Sequence, residues 1–303
     1  MDHIPFKAGG RAVALGFFDG IHEGHEEIIK RMVKTARMNG LTSCVQTFTG
    51  FSKEGGKCLT TIDERLDILT GLGVDEMLVI DFSEKFKSTP AEQFFTDVLR
   101  FRLNARALFA GDDYRFGAGA AGDAELLKKL GVEASMRVDI VRAKLQDGRR
   151  ISSTWMKEAL AEGDAETIRK LCGGRAFGYE GKVTEGKRLG RTLGFPTANL
   201  PIPSVKTVAR RGVYVSRVLI GKKVYYGVTN IGLRPTVEDA DRDIAETYIF
   251  GLDEDIYGAR IRVELLSFLR PEKNFESAEK LREAVEYNKV QAMEYLRKSG
   301  IID

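Results

Sequence analysis

The chain has 303 residues, a length that suits two domains, because a single domain usually takes roughly 100–200 residues. Its 47 Lys and Arg residues against 44 Asp and Glu give a net charge of +3, which argues against global attraction to nucleic acid or a membrane surface. Three cysteines without metal-ligand spacing, no apolar run of about 20 residues and no signal-peptide pattern predict a soluble cytoplasmic protein with reduced thiols.

The first half of the chain alternates short apolar segments with amphipathic helical patterns. We predict strands at 12–16, 43–48, 76–81, 107–110 and 136–141. Helices are predicted at 26–39, at 62–70, from 89 onwards and from 123 to 130. Thr61 and Glu64 have the spacing of a capping box at the start of the second helix. This alternation predicts a Rossmann-like α/β domain with a parallel sheet, whose ligands bind at the carboxyl ends of the strands.

The second half of the chain has a different pattern. Two short helices, 153–161 and 164–172, form a predicted connector. Closely spaced strands follow, at 176–184, 212–220, 223–231, 246–250 and 260–268. A terminal helix is predicted at 277–298. Such spacing, with a hairpin turn at Gly221-Lys222, predicts a small antiparallel β-barrel with a C-terminal helix. We therefore expect two domains, residues 1–174 with the connector helices and residues 175–303.

Two of the three histidines, His22 and His25, follow the first predicted strand. At such a strand–turn–helix junction, backbone N–H groups and the positive end of the helix dipole favour anions, so the pair is suited to phosphate chemistry. A zinc site is an alternative, although it needs further ligands that the chain does not place nearby. Two histidines in a polar turn, with Asp19 capping that turn, remain the simplest structural interpretation.

A glycine-rich basic loop precedes Pro196-Thr197-Ala198-Asn199 in the second half. Its Gly186, Gly190 and Gly194 would let backbone amides approach phosphate groups, although the spacing is not that of a P-loop. In an extended segment Thr197 and Asn199 point to the same side, where a hydroxyl and an amide oxygen could hold Mg²⁺. A turn-rich connector is the alternative interpretation of this loop.

The stretch 12–25, together with Gly111–Gly117 and Ile151–Thr154, resembles the prokaryotic bifunctional riboflavin kinase/FAD synthetase family. The resemblance implies an N-terminal domain that transfers AMP from ATP to FMN, with His22 and His25 at the ATP phosphates. It also implies a phosphate-contacting loop, for which the candidates are Ser152, Ser153, Thr154 and Lys157. Small hydroxyls at a helix start suit an anion independently of the family, although a plain helix cap is the alternative.

The sequence departs from the family pattern in this half of the chain. Phe17 stands where the family often has Asn, and Phe48–Ser52 replaces the usual Asp-Pro-His-Pro segment. Trp155-Met156-Lys157 follows the Ser-Ser-Thr run where Arg-x-Arg is usual, and lysine lacks the planar fork of arginine. A riboflavin kinase with a weakened or inactive adenylyltransferase domain is therefore the first alternative.

The second half resembles the riboflavin kinase signature from Gly181 through Asn199 and onwards to Phe275. By this resemblance Glu246 is the catalytic base that deprotonates the ribityl hydroxyl as it attacks the γ-phosphate. An exposed strand carboxylate is the simpler interpretation of Glu246. The resemblance places Arg270, Glu272 and Phe275 on the segment that lines the flavin site, where Phe275 is equally suited to helix packing. Tyr287-Asn288-Lys289 differs from the Lys-Asp-Val usual on the last helix.

The sequence thus predicts an enzyme that makes FMN from riboflavin with Mg-ATP and then makes FAD from FMN. Its expected partners are riboflavin, FMN and ATP, with Mg²⁺ as cofactor and no membrane or nucleic acid. A flavin-responsive regulator that binds nucleic acid through the basic stretch 205–211 is the remote alternative, although such a charge run is usually a solvated face.

Overall fold

A computed structural model describes residues 7–49, 56–186, 194–234 and 242–302. Gly190 and segments 50–52 and 235–236, used in the sequence analysis, lie outside these residues. The chain divides into two compact units, Met1–Ser153 and Thr154–Asp303. The domain boundary at 174/175 stays a prediction. Across the described ranges, the helices are too short or too polar to cross a membrane.

The first unit contains a parallel five-stranded sheet in the order β3-β2-β1-β4-β5. Its strands are β1 (Arg11–Leu15), β2 (Thr42–Thr49), β3 (Glu76–Asp81), β4 (Ala105–Gly111) and β5 (Arg137–Val141). All five strands were predicted, with bounds that differ by at most two residues. Strand β1 lies in the centre, so the turn that follows it is at the middle of the carboxyl edge.

Helices cover both faces of this sheet, as the alternating pattern predicted. They are α1 (Glu23–Met38), α2 (Ile62–Gly71), α3 (Glu84–Lys87), α4 (Ala91–Gln93) and α5 (Ala124–Glu133). Ala12 and Ala14 of β1 pack in a cluster with the apolar face of α1, whereas Val13 and Leu15 belong to the cluster on the other face. This alternation follows from the two-residue period of a strand.

Two local features of the first unit differ from the prediction. The third predicted helix begins as α4 and continues as a π-helix over Phe94–Arg102, whose Phe94, Phe95 and Leu99 are buried against the sheet. The segment before α6 (Ser153–Glu162) contains an unpredicted hairpin of β6 (Leu145–Gln146) and β7 (Arg149–Arg150). Asp147 and Gly148 form its turn, both with positive φ, which suits a tight hairpin.

The predicted capping box at the start of α2 is present. The Thr61 side chain accepts from the Glu64 backbone N–H at 3.2 Å, and the Glu64 carboxylate accepts from the Thr61 N–H at 2.8 Å. We expect Thr61→Ala to lower the free energy of unfolding by about 1 kcal/mol, because it leaves a helix N–H without its acceptor. Urea unfolding measures the change.

Thr70→Ala is the matched control in the same helix, since Thr70 is exposed and only donates to the Leu66 carbonyl at 2.8 Å. Its expected change is within about 0.5 kcal/mol. Equal losses in the two variants would contradict a specific capping effect.

The second unit contains a six-stranded antiparallel sheet in the order β8-β13-β10-β11-β12-β9. Its strands are β8 (Gly178–Lys182), β9 (Thr197–Pro201), β10 (Gly212–Ile220), β11 (Lys223–Arg234), β12 (Arg242–Ile249) and β13 (Arg260–Pro271). A bridge between Thr184 and Asn199 joins the two ends of the sheet, so the barrel is nearly closed. The predicted barrel and its β10–β11 hairpin are confirmed.

The last helix, α8 (Ala278–Lys298), covers the outer face of this barrel. Ala292 and Leu296 of α8 pack in one cluster with Val213, Val215 and Val228 of the barrel strands. Before the barrel, α6 and α7 (Ala165–Leu171) form the predicted pair of short helices. Strand β12 begins four residues before its predicted start, because it pairs with β11 on one side and β9 on the other.

Candidate functional site

The two histidines of the first unit lie together where β1 gives way to α1. His22 is the N-cap of α1, and its Nδ1 accepts a hydrogen bond from the His25 backbone N–H at 3.2 Å. Their imidazole rings stack with centroids 3.7 Å apart, and Phe18 packs edge-on against His25 at 5.2 Å. The structure therefore brings the predicted pair together at the carboxyl edge of the sheet.

Both imidazoles have lowered pKa values. Burial lowers the pKa of His22 to about 4, and the positive charge of Arg150 acts in the same direction. Burial, followed by the charges of His22 and Arg65, lowers the pKa of His25 well below its ordinary value. The buried Nδ1 of His25 has no hydrogen-bond partner among the described residues. The neutral form of both imidazoles is therefore favoured at neutral pH.

The lowered pKa of His22 predicts acid sensitivity of the folded first unit. The ordinary pKa of histidine is 6.5. Below that pH, His22 binds a proton in the unfolded chain, whereas in the folded chain it does so only near pH 4. Stability is thus lost as the pH falls, by about 2 kcal/mol between pH 7 and pH 5 for this one group. Denaturant unfolding of the wild type and of His22→Asn measures it, and equal losses in the two proteins would contradict this origin.

Asp19 holds the turn before the histidines through backbone contacts. Its carboxylate accepts from the N–H groups of Leu59 at 2.9 Å and Thr60 at 3.0 Å, and lies 3.8 Å from the Arg65 guanidinium. These contacts agree with a structural role for Asp19, as the capping interpretation predicted. The N–H groups belong, however, to the segment before α2 and not to the turn that contains Asp19. Arg65 is buried, and its proximity to the histidines gave no local signal in the sequence.

Phe17 belongs to the hydrophobic side of the same junction. Its ring centroid lies 4.8 Å from that of Phe48 and 5.6 Å from that of Phe82. Its carbonyl accepts from the Thr47 hydroxyl at 2.7 Å. The aromatic residue at position 17 is thus accommodated by a phenylalanine cluster, while the histidine pair keeps its stacked geometry.

The predicted phosphate loop is divided between the two units. The Ser153 hydroxyl donates to the Asp19 carbonyl at 2.8 Å, which ties the start of α6 to the histidine turn, and Ser152 beside it is half-buried. Thr154 is exposed and Lys157 half-buried in the first turns of α6, within the second unit. Phosphate binding by these four residues stays a prediction.

In the second unit, Thr197, Asn199 and Glu246 form one polar cluster. The Thr197 hydroxyl donates to Glu246 Oε1 at 2.7 Å, across 49 residues of sequence. Asn199 lies directly opposite Glu246 in the β9–β12 pairing. The predicted base and the two predicted metal ligands thus share one face of two neighbouring strands.

A pocket opens beside this cluster. Its polar and apolar walls include Gly186, Pro196, Thr197, Asn199 and the segment Leu252–Tyr257. A Cβ at Gly186 would overlap the Asn199 side chain, so glycine is required for this close approach. Gly194 has a φ of +87° before β9, which glycine adopts without strain. Asp253 to Tyr257 were not chosen as site residues, although residues 255–258 belong to the stretch that resembles the riboflavin kinase signature.

The three predicted flavin residues lie at the end of β13 and just beyond it. The Arg270 side chain donates from Nε to Asn288 Oδ1 at 3.0 Å, and its guanidinium lies 5.5 Å from the centroid of the Phe275 ring. Glu272 accepts from Asn230 Nδ2 at 3.1 Å. Asn288 on α8 is buried, and neither it nor Asn230 was predicted as a site residue.

The basic stretch 205–211 is engaged within its own unit. Lys206 is buried with its ammonium 5.1 Å from the centroid of the Phe177 ring, and Arg211 pairs with Asp243 at 2.9 Å. The Arg210 guanidinium lies 4.8 Å from the centroid of the Phe268 ring. These contacts give the stretch a structural role and do not favour the nucleic-acid alternative.

The described part of the chain contains no cluster of three His, Cys, Asp or Glu residues that could hold a metal ion. Cys44, Cys58 and Cys172 are buried and form no disulfide. The zinc alternative for the histidine pair therefore has no support within those ranges. Oxygen ligands at Thr197 and Asn199 remain candidates for Mg²⁺, because hard cations prefer oxygen donors.

Comparison with known families matches both halves of the chain. Residues 5–155 match the FAD synthetase family model, and residues 173–296 match the riboflavin kinase family model. The chain is therefore a fusion of a nucleotide-binding α/β domain of FAD synthetase type and a barrel of riboflavin kinase type. The two short helices α6 and α7 lie largely between the matched segments.

Relatives match over nearly the whole chain. A bifunctional riboflavin kinase/FMN adenylyltransferase from Escherichia coli (strain K12) is 34% identical over 293 residues, covering 94% of this chain and 93% of the relative. One of the same name from Bacillus subtilis (strain 168) is 31% identical and covers 93% and 92%. The chain belongs to the bifunctional riboflavin kinase/FMN adenylyltransferase family.

A solved structure agrees with both folds. The crystal structure of a Streptococcus pneumoniae protein, named a macrolide-efflux protein, has a TM-score of 0.81 and 31% identity to this chain. The match covers 95% of this chain and 93% of that protein. The α/β fold, the barrel and the family predicted from sequence are thus confirmed.

Proposed function

We propose that this chain phosphorylates riboflavin to FMN in its second unit and transfers AMP from ATP to FMN in its first. The observation that carries the kinase assignment is the Thr197–Glu246 hydrogen bond at 2.7 Å, with Asn199 opposite Glu246 on the neighbouring strand. A carboxylate base beside hard oxygen donors supplies the groups that phosphoryl transfer to a hydroxyl requires.

In the kinase step, Glu246 accepts the proton of the terminal ribityl hydroxyl while that oxygen attacks the γ-phosphorus of ATP. A new P–O bond forms, the bond to the β-phosphate oxygen breaks, and ADP leaves. The hydrogen bond from Thr197 orients the Glu246 carboxylate. The backbone around Gly186, Gly190 and Gly194 would bind the phosphate groups of ATP.

The oxygen donors fit Mg²⁺ as cofactor. Thr197 offers a hydroxyl oxygen whose proton is already directed at Glu246, and Asn199 offers an amide oxygen. Mg²⁺ bound there would supply charge neutralisation for the ATP phosphates. Arg270, Glu272 and Phe275 would contact the flavin substrate.

In the adenylyltransferase step, FMN phosphate attacks the α-phosphorus of ATP and pyrophosphate leaves. His22 and His25 would donate hydrogen bonds to the phosphate oxygens as negative charge develops on the leaving group. The neutral state favoured by their lowered pKa values preserves one N–H donor on each ring. Ser152, Ser153, Thr154 and Lys157 would contact the same phosphates from the start of α6.

The proposed arrangement assigns residues 1–174 to the adenylyltransferase and 175–303 to the kinase. The family's small-molecule substrates and the three cysteines outside any disulfide favour action in the reducing cytoplasm. No nucleic-acid partner belongs to the proposal.

The test incubates the chain with riboflavin, ATP and Mg²⁺ and separates the flavins by chromatography. We expect FMN first and FAD after it, and no flavin product at all would refute the proposed function. FMN supplied directly with ATP tests the adenylyl transfer alone. FMN production without any FAD in that second assay would support the alternative of a kinase with an inactive first unit.

A further inference from the structure

A polar row crosses three strands of the barrel around Glu246. Asn230 of β11 lies directly opposite Glu246 of β12, and Asn199 of β9 lies opposite Glu246 on its other side. Residues directly opposite on paired antiparallel strands share a face, with their Cβ atoms about 4.5–5.5 Å apart. The side chain of Asn230 therefore borders the predicted base on the side away from Thr197 and Asn199.

Asn230 also holds a second carboxylate. Its Nδ2 donates to Glu272 Oε1 at 3.1 Å, although the two residues lie 42 positions apart in sequence. Glu272 is exposed just after β13 ends, so this hydrogen bond fixes a side chain that would otherwise sample several rotamers. The amide carries no charge, and it takes one of about four acceptor sites on the carboxylate.

Gly232 provides the space for the Glu272 carboxylate. It follows Asn230 by two residues and thus lies on the same face of β11. A Cβ at this position would overlap Glu272 Oε1. Gly232 is buried within a strand, where glycine is otherwise unfavourable, and its lack of a Cβ leaves the space that the end of the Glu272 side chain occupies.

We propose that Asn230 and Gly232 are positioning residues that hold the Glu272 carboxylate as an acceptor for hydroxyl groups of the substrate's polyol chain. The proposal rests on the kinase function given above. Glu246 and Asn230 lie on neighbouring strands, about 5 Å apart, and one hydrogen bond from Asn230 reaches Glu272. A chain of several carbon atoms can span this separation. A polyol whose terminal hydroxyl meets Glu246 thus presents its inner hydroxyls to Glu272.

This placement predicts which part of riboflavin each contact recognises. Glu272 binds the ribityl chain, and the flavin ring lies farther along the face, towards Arg270 and Phe275. A flavin that carries a methyl group instead of the ribityl chain therefore gains nothing from Glu272. Lumiflavin is such a compound.

The experiment measures the affinity of the full chain for riboflavin and for lumiflavin by quenching of flavin fluorescence. The variants are Asn230→Leu, which removes the donor, and Gly232→Ala, which places a methyl group where Glu272 lies. We expect each to weaken riboflavin binding about tenfold, the size of a lost hydrogen bond to a charged group. Lumiflavin affinity should be unchanged, as should the KM for ATP.

Three further variants make the result specific. Val224→Ser is the control on β11, because Val224 is exposed near the other end of the strand, and both affinities should match wild type. Glu272→Ala should weaken riboflavin binding as Asn230→Leu does. In the double variant Glu272→Ala/Gly232→Ala, the second substitution should cause no further loss of riboflavin affinity, since the carboxylate that it displaces is absent.

Equal losses for riboflavin and lumiflavin would overturn the proposal, because they would place Glu272 at the flavin ring. Unchanged riboflavin affinity in Asn230→Leu and Gly232→Ala would overturn it as well. Thermal unfolding identifies a variant that fails to fold, in which case Glu272→Gln, an exposed substitution, carries the same two-ligand comparison. Failure of the kinase function itself is distinct, since wild type would then form no FMN.

Discussion

Glu246→Gln is expected to reduce FMN formation from riboflavin by about 10²- to 10⁴-fold, the usual contribution of a general base. Glutamine keeps the size of the side chain and can still accept from the Thr197 hydroxyl, which now donates to Glu246 at 2.7 Å. What it loses is the capacity to take the proton of the attacking hydroxyl. The measurement is the initial rate of FMN production at saturating riboflavin and ATP.

The conversion of supplied FMN to FAD is the internal control for Glu246→Gln. That reaction belongs to the proposed site of the first unit, so its rate should equal that of the wild type. A second control is Glu279→Gln, an exposed change in the first turn of α8. If Glu246→Gln kept its kinase rate, the assignment of the base would be wrong, whereas loss of both activities would indicate a general defect.

His22→Asn is expected to reduce FAD formation from FMN and ATP by about 10²- to 10³-fold, the usual effect of removing one preorganised donor from a developing charge. Asparagine is a favourable N-cap residue, so it can replace the contact in which His22 Nδ1 accepts from the His25 N–H. The expected loss of activity therefore measures the role of His22 in phosphate chemistry, because the N-cap contact that stabilises α1 is retained. His25→Ala should cause a loss of the same order.

Riboflavin phosphorylation is the control for both histidine variants, and its rate should be unchanged. Asp19→Asn tests a structural residue of the same turn, because the Asp19 carboxylate accepts from the backbone of Leu59 and Thr60 and from the Thr60 hydroxyl, and lies near Arg65. This variant should mainly lower the free energy of unfolding, with a smaller effect on the rate of FAD formation. A histidine variant with wild-type FAD formation would place the adenylyl transfer elsewhere.

The two proposed sites use the backbone in different ways. In the first unit, one continuous segment supplies the strand end, the turn and the helix N-terminus, so the histidines are neighbours in sequence as well as in space. In the second unit, the cluster is assembled by pairing of β12 with β11 and with β9, whose Thr197 lies 49 residues from Glu246 in sequence. A substitution in the first site therefore changes contacts within one segment, whereas a substitution in the second site changes contacts between paired strands.

Local patterns were sufficient for most elements of the fold. The alternation in β1, the apolar face of α1 and the capping box of α2 follow from residues within one turn or one strand, and all three are present. The π-helix at Phe94–Arg102 was not predicted, because its buried phenylalanines have the spacing of an ordinary amphipathic helix. The start of β12 was missed, since its polar residues resemble a loop until both neighbouring strands are considered.

By itself, the sequence determined the two folds and their order through local periodicity, and the family through the resemblance of its motifs. The roles of the candidate site residues stay predictions. Only the tertiary structure decided that the Thr197 hydroxyl meets Glu246, that Asn230 holds Glu272 and that Arg65 lies beside the histidines. Strand register and helix packing join positions many residues apart. Such contacts depend on how whole elements pair, and no local pattern in the chain specifies them.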